Sequence, residues 1–402
     1  MPMSIHDTTN AHELATGVFA DEVVAVESGS RLADFLREAT AANHSVIPFG
    51  GRRSLATGNP TEPARFGLDL TGLTGILSYE PADLTLSVRA GTTLADIQRA
   101  LGEGGQELPI DVPFPDVTTI GGLVATGFVG PRRLRSGSLR DLLIGCEFVR
   151  GDGLLAKAGG MVVKNVSGFE IPRFLHGSWG ALAVLTSVNL KVTPMARADG
   201  TLLAAFDDVG LAIDAAHRLI AAEPSIEACV VTSDRDGVRV SARSVGRAGA
   251  VAASLDSFAQ CLGSEVARLE VEESRAFWRE LVNQYAEDNS KTVLALGARP
   301  RDIRALATRI GDVTAGDESA IQVSPGFGSL RIMTPTDGED LATGIVALAA
   351  ADGANYVLES ASPALRSSLP TWGAEPEGIE VMRSVKRQFD PGGILNLGRL
   401  PV

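Results

Sequence analysis

The chain has 402 residues, 45% hydrophobic and 21% charged, and a formal net charge of −13. That balance allows a large core in two domains, or two and a returning tail, and argues against a nucleic-acid binder, which would carry a basic stripe. Three scattered cysteines, Cys146, Cys229 and Cys261, offer no zinc site, cysteine-ligated cluster or disulfide framework. No apolar run reaches the ~18 residues of a membrane span, and the polar stretch Met1–Asn10 lacks a signal-peptide core, so a cytoplasmic protein is expected.

In chain order, residues 1–20 read as a loose lead-in. A short strand covers 23–26. A helix follows over about 31–42, with Leu32, Phe35, Leu36 and Ala39 on one face. The strand Val46–Phe49 delivers a glycine loop. Strands are expected at 64–70, 75–79 and 84–88, and a helix capped by Thr92 or Thr93 runs to about Gly102. An extended, proline-punctuated segment leads into the small-residue stretch around Thr118-Thr119-Ile120-Gly121-Gly122. Strands at 142–149 and 154–158, a short helix over 169–175 broken at Pro172, and a strand at 184–192 complete this half.

From Gly200 helices and strands alternate regularly, roughly β-α-β-β-α-β twice over, with an Asp236-Gly237 hairpin signal. A last helix over 379–389 precedes a tail that returns to the first domain. The expected division is a lead-in (1–20), a first domain (21–196), a ferredoxin-like α+β second domain (197–370) and a returning segment (371–402).

Two loops suggest one large anionic cofactor. Gly50-Gly51, with Arg52 and Arg53, and Thr118 to Gly122 both put small residues where backbone N–H groups can approach a phosphate. The bland counterpart is a tight turn with solvated arginines and a packed turn between strands. No G-x-G-x-x-G and no G-x-x-x-x-G-K-[ST] occurs, so a Rossmann site and a P-loop are poorly supported. Arg132, Arg133, Arg135 and Arg140 cluster in an otherwise acidic chain and suit a carboxylate, a phosphate or a partner's acidic face; a solvated loop explains them equally well. Histidine is scarce, at positions 6, 12, 44, 176 and 217 only, so the sequence names no general base.

The motifs Pro48-Phe49-Gly50-Gly51-Arg52-Arg53-Ser54, Thr119-Ile120-Gly121-Gly122, Gly177-Ser178 with Gly180, and the closing Phe389 to Arg399 resemble the FAD-binding PCMH/vanillyl-alcohol-oxidase flavoproteins. Within that family, Gly130 to Arg133, Gly137 to Asp141 and Lys164 to Phe169 look like the E-subunit type of bacterial glycolate oxidase. The resemblance implies an α+β fold with a PCMH-type FAD-binding domain. It implies FAD contacts from Pro48, Phe49, Gly50, Gly51, Arg52, Arg53, Ser54, Pro113, Thr118, Thr119, Gly121, Gly122, Thr126, Gly137, Ser138, Asp141, Gly177, Gly180, Ala183, Val184 and Asn396. Some relatives attach flavin covalently through a histidine near the first loop; this loop has none, so non-covalent FAD is expected. Arg132, Arg133, Lys164 and Arg331 are candidates for a substrate carboxylate. The implied activity is oxidation of a small 2-hydroxy acid, glycolate or D-lactate in type, beside a catalytic flavoprotein subunit and an iron–sulfur subunit. A non-catalytic assembly subunit that keeps FAD as a structural ligand and a stand-alone FAD alcohol oxidase remain alternatives.

Overall fold

The computed structural model of the chain describes residues 12–161, 169–263, 266–284, 291–335 and 338–402. Strands β1 (His12–Ala15) and β2 (Val18–Ala25) pair around Gly17, whose φ of 72° suits a residue without a Cβ. A strand pair thus occupies part of the expected lead-in; β1 has four residues, too short to show a period. Helix α1 (Gly29–Ala41) starts where the Ser28 hydroxyl accepts the Arg31 N–H at 3.3 Å, a cap worth about 1 kcal/mol. It buries Leu32, Ala33, Leu36 and Ala39. Strand β3 (Val46–Phe49) pairs in parallel with β4 (Ala64–Asp69), and β4 with β2, giving a four-stranded sheet in the order β1-β2-β4-β3.

Strands β5 (Ile76–Glu80) and β6 (Thr85–Arg89) lead to helix α2 (Leu94–Glu103), capped by Thr93, and the short β7 (Gln106–Glu107). The small-residue stretch is helical: α3 (Ile120–Thr126) begins where the Thr119 hydroxyl accepts the Gly122 N–H at 3.3 Å and ends at Gly127, φ 68°. Two adjacent glycines at a helix start hide the element from propensity. Single-turn helices α4 (Arg133–Ser136) and α5 (Leu139–Leu142) precede β8 (Leu143–Arg150) and β9 (Leu155–Gly159). In α6 (Ile171–Leu175), Pro172 lies in the first turn, where no intrahelical N–H is required, and so opens the helix rather than breaking it. Strand β10 (Ala183–Lys191) lies at the centre of an antiparallel sheet, β5-β6-β10-β8-β9, and β11 (Thr193–Pro194) pairs with β7.

The second half is a double repeat: β12 (Ala198–Phe206), α7 (Val209–Ala222), β13 (Ala228–Asp234), β14 (Gly237–Gly246), α8 (Ala248–Leu262) and β15 (Val266–Leu269) come first. Helix α9 (Val271–Gln284) links them to β16 (Lys291–Gly297), α10 (Ile303–Thr314), β17 (Ala320–Ser324), β18 (Ser329–Pro335), α11 (Glu339–Ala351) and β19 (Asn355–Ser360). The sheet runs β15-β12-β14-β13-β17-β18-β16-β19, antiparallel throughout. Each repeat has the ferredoxin-like strand order, fourth-first-third-second, and the second strands β13 and β17 join them. One face is buried under α7, α8, α10 and α11, with Leu294, Leu330, Ile332 and Leu358 pointing into that core. Strand alternation sends the intervening residues, Val293, Ala295, Arg331, Val357 and Glu359, to the opposite face, which looks towards the first domain.

Helices α12 (Pro363–Ser368) and α13 (Ile379–Phe389) carry the chain back. Buried Asp390 accepts the N–H groups of Ile394 and Leu395 and pairs with Lys386 Nζ at 2.6 Å. The tail so held lies along β3: Val46 N–H donates to the Ile394 carbonyl at 2.8 Å, and Asn396 N–H to the Val46 carbonyl at 2.9 Å. Among the described residues, no helix is long and apolar enough to cross a membrane.

Candidate functional site

The end of β3, the start of α3, the turn before β10 and the tail converge on one cleft. It encloses about 1050 Å³, the open mouth included. Its walls are mainly apolar (Phe49, Leu55, Leu70, Leu123, Val184, Leu185), interrupted by the two glycine loops. Of the residues assigned to a cofactor from sequence, Pro48 to Ser54, Pro113, Thr118, Thr119, Gly121, Gly122, Thr126, Gly180, Ala183, Val184 and Asn396 line it.

The glycines are small because the loops pack on each other. A Cβ on Gly51 would come within 1.8 Å of the Val117 carbonyl oxygen, and one on Gly50 within 2.3 Å of Thr119 Oγ1. A Cβ on Gly121 would meet Ala90 at 2.8 Å. Thr118 donates its hydroxyl proton to the Pro113 carbonyl at 2.7 Å. Arg52 and Arg53 lie over the rings of Phe49 and Phe114 at 4.4 and 3.9 Å. Four non-glycine residues with positive φ cluster here: Arg52 (58°), Phe114 (48°), Trp179 (53°) and Asn396 (45°). Backbone strain of this kind, about 1–3 kcal/mol each, concentrates at functional sites.

Other expected contacts are not part of the cleft. Ser138 and Asp141 form a capping box on α5, with Ser138 N–H donating to Asp141 Oδ2 at 2.8 Å. That bond, with the Ser138 hydroxyl and nearby Arg173 and Arg140, holds the Asp141 carboxyl below its usual range. Gly137 supplies the positive φ (76°) that turns the chain into this box, and Gly177 (φ 79°) turns it between α6 and Trp179. All four positions serve local turn geometry. Lys164 lies outside the described residues.

The arginine cluster is also redirected. Arg132 is buried between domains, where its Nε donates to Glu227 at 2.6 Å and its two terminal nitrogens donate to Glu107 at 3.1 Å. Burial pulls its pKa down, but the Glu107, Glu227 and Asp111 carboxylates more than compensate and raise it. Fully committed partners remove Arg132 from the substrate candidates. Arg243 extends this interface, pairing with Asp199 at 2.6 Å and Asp111 at 3.3 Å. Arg133 is exposed and lies over Phe327 at 5.1 Å, away from the cleft.

Of the described substrate candidates, Arg331 lines the large chamber that opens from the cleft. This chamber, about 1420 Å³ on the same measure, shares Arg53, Ser54, Pro113, Thr126, Phe128 and Trp179 with the cleft. Its other walls include Thr57, Val282, Val293, Ala295, Gln322, Val357, Glu359 and Trp372. Glu359 accepts Arg331 Nε at 3.0 Å and Nη2 at 3.2 Å, and Arg331 lies over Phe128 at 5.1 Å. Among the described residues, no histidine lines cleft or chamber.

Sequence reasoning missed Arg399. It lines the cleft, is 2% exposed, and donates Nη1 to the carbonyls of Leu55 and Thr57. Its Nε and Nη2 have no acceptor, and it has no carboxylate partner among the described residues. Burial and the nearby Arg366 guanidinium push its pKa down to about 10, which still leaves it a cation at neutral pH. Asn396 Oδ1, in the same wall, is buried and has no partner among the described residues. A buried, uncompensated cation and a lone acceptor beside an apolar slot fit a ligand that is flat and aromatic at one end and anionic along its length, as FAD is.

Comparison with known proteins agrees. Residues 20–169 match the model of an FAD binding domain, and residues 371–400 that of the C-terminal domain of FAD linked oxidases. Glycolate oxidase subunit GlcE of Escherichia coli (strain K12) is 43% identical over 136 residues, 34% of this chain and 39% of that protein. Glycolate oxidase subunit GlcD of Bacillus subtilis (strain 168) is 25% identical, over 94% of this chain and 88% of that one. The fold matches a solved alkyldihydroxyacetonephosphate synthase with a TM-score of 0.71 at 15% identity, covering 93% of this chain and 75% of the other. The chain thus carries a match to an FAD binding domain on its N-terminal side, and the segment that closes the cleft matches the C-terminal domain of FAD linked oxidases.

Proposed function

We propose that this chain is the FAD-holding subunit of an oxidoreductase for a small 2-hydroxy acid, glycolate or D-lactate in type. The observation that carries this is the direct opening of the cofactor cleft into a chamber with Arg331 on its sheet floor. The names of the glycolate oxidase relatives support the substrate class.

In this reading the two glycine loops, Arg399 and Asn396 hold FAD without a covalent bond, since neither histidine nor cysteine lines the cleft among the described residues. FAD, when bound, supplies the electron sink that takes the hydride from the α-carbon. Arg331 orients the substrate carboxylate, and Glu359 fixes its guanidinium by two near-parallel bonds. Phe128, Trp179 and Trp372 exclude water from the reacting centre. Glu359 is the sole carboxylate lining the chamber among the described residues. Both of its oxygens accept from Arg331, which commits it to positioning the guanidinium. The hydroxyl proton is therefore assigned to a group from a partner, a catalytic flavoprotein subunit working with an iron–sulfur subunit. That commitment of Glu359 also favours the second reading, an assembly subunit in which FAD is structural.

Replacing Arg331 tests the assignment. Arg331→Met should keep its FAD but need about tenfold more hydroxy acid for half-maximal flavin bleaching, as loss of one charged contact does. An unchanged concentration dependence would remove Arg331 from the substrate site.

A further inference from the structure

The tail presents two unsatisfied groups of opposite kind to the cleft. Asn396 Nδ2 donates to the Trp179 carbonyl at 2.6 Å, which fixes the amide and leaves Oδ1 as a bare acceptor. Three residues on, Arg399 holds Nε–H and Nη2–H without acceptors among the described residues, while Nη1 is bound to Leu55 and Thr57. Both side chains are over 90% buried, so each lost hydrogen bond is costly unless a ligand supplies the partner.

Their location selects which part of FAD they meet. Thr57 lines the chamber, and so does Trp372, whose indole N–H donates to the Arg399 carbonyl at 2.7 Å. Trp179 lines both cavities and meets Trp372 edge to face at 5.1 Å between ring centroids. Asn396 and Arg399 therefore stand where cleft meets chamber, the end at which the redox ring must face its substrate. The pyrimidine edge of that ring offers an N3–H donor beside two acceptors, the C2 oxygen and N1. Asn396 and Arg399 present the complementary acceptor and donors.

We infer that Asn396 and Arg399 read the pyrimidine edge of the flavin ring, with Asn396 Oδ1 accepting N3–H and Arg399 donating to the C2 oxygen and N1. Reduction places negative charge on that same edge, so a fixed cation there favours the reduced ring. The inference rests on the FAD reading of the cleft.

The test is equilibrium binding of FAD, 3-methyl-FAD and ADP to the apoprotein, with the midpoint potential of the loaded protein. For the unaltered chain, 3-methyl-FAD should bind about tenfold more weakly than FAD, the cost of one lost hydrogen bond. In Asn396→Gly the two should bind alike. Arg399→Met should weaken FAD about tenfold or more, leave ADP within about twofold and lower the midpoint potential. Arg399→Lys should recover part of both losses. Equal binding of FAD and 3-methyl-FAD by the unaltered chain, which needs no variant to fold, would overturn the Asn396 assignment. Weakened ADP binding in Arg399→Met would place Arg399 on the pyrophosphate and overturn the ring assignment. Failure of the unaltered chain to bind FAD at all would overturn the FAD reading itself.

Discussion

Asn396 and Trp179, 217 positions apart, are joined by a 2.6 Å hydrogen bond from the Asn396 amide to the Trp179 carbonyl, and both adopt left-handed backbone angles. The tail thus clamps the turn that forms one wall of the cleft. Asparagine suits the position twice, because it tolerates positive φ and its amide reaches across. Asn396→Ala should destabilise the apoprotein by about 1–3 kcal/mol, from the lost bond and the strained φ. Asn396→Gly, free of the strain, should cost less. Urea midpoints give both values; equal losses would mean that the backbone angle carries no strain.

Arg132 and Arg133 are neighbours in sequence with opposite roles. Arg132→Ala leaves Glu107 and Glu227 with a lost partner at the domain interface and should cost about 3–5 kcal/mol. Arg133→Ala, at an exposed site, should stay within about 0.5 kcal/mol. Thermal or urea unfolding decides it, and a larger effect at Arg133 would contradict the interface described.

Gly51→Ala should lower apoprotein stability by about 1–3 kcal/mol before any ligand is added, because its Cβ would overlap the Val117 carbonyl. Loss of FAD in that variant then reports loop distortion rather than a blocked ligand. An apoprotein as stable as the parent would show that the loops do not pack this way.

His176 supplies a pH signature. Burial first, then Arg140 and Arg133, outweigh Asp141 and hold its pKa below the usual histidine value. Between the unfolded value near 6.5 and this lower folded value the unfolded chain binds more protons, so stability is full above that window and falls as pH drops through it. His176→Gln should flatten the loss that sets in as pH falls below about 6.5. Urea midpoints across that range would show it; identical slopes in parent and variant would mean His176 titrates normally.

Much of the site could be read from local sequence. Pro48 to Ser54, Thr118 to Gly122 and the segment around Asn396 are short, glycine-marked motifs, and their clustering is what the cleft displays. The double β-α-β-β-α-β pattern follows from strand alternation and helix period, as in Leu294/Ala295 and Tyr356/Val357. What was illegible depends on distant partners. Arg132 looked free because Glu107 and Glu227 lie 25 and 95 positions away. Gly137, Ser138 and Asp141 looked like ligand contacts because a capping box and a phosphate loop use the same residue types. Arg399 ends the recognised closing motif, but its role carried no signal, since an orphaned N–H exists only once the chain has folded around it.

The central claim is that this cleft holds FAD for a hydroxy acid bound at Arg331. Anaerobic mixing of the FAD-loaded chain with glycolate, D-lactate and a matched alcohol lacking a carboxylate tests it directly, followed by the visible absorbance of the flavin. The account predicts bleaching by the hydroxy acids and not by the alcohol, far slower than ~10 s⁻¹ for the chain alone, and accelerated about 10²–10⁴-fold by a partner that brings the base. Bleaching by the alcohol with none by either hydroxy acid, or full-rate turnover by the isolated chain, would contradict it.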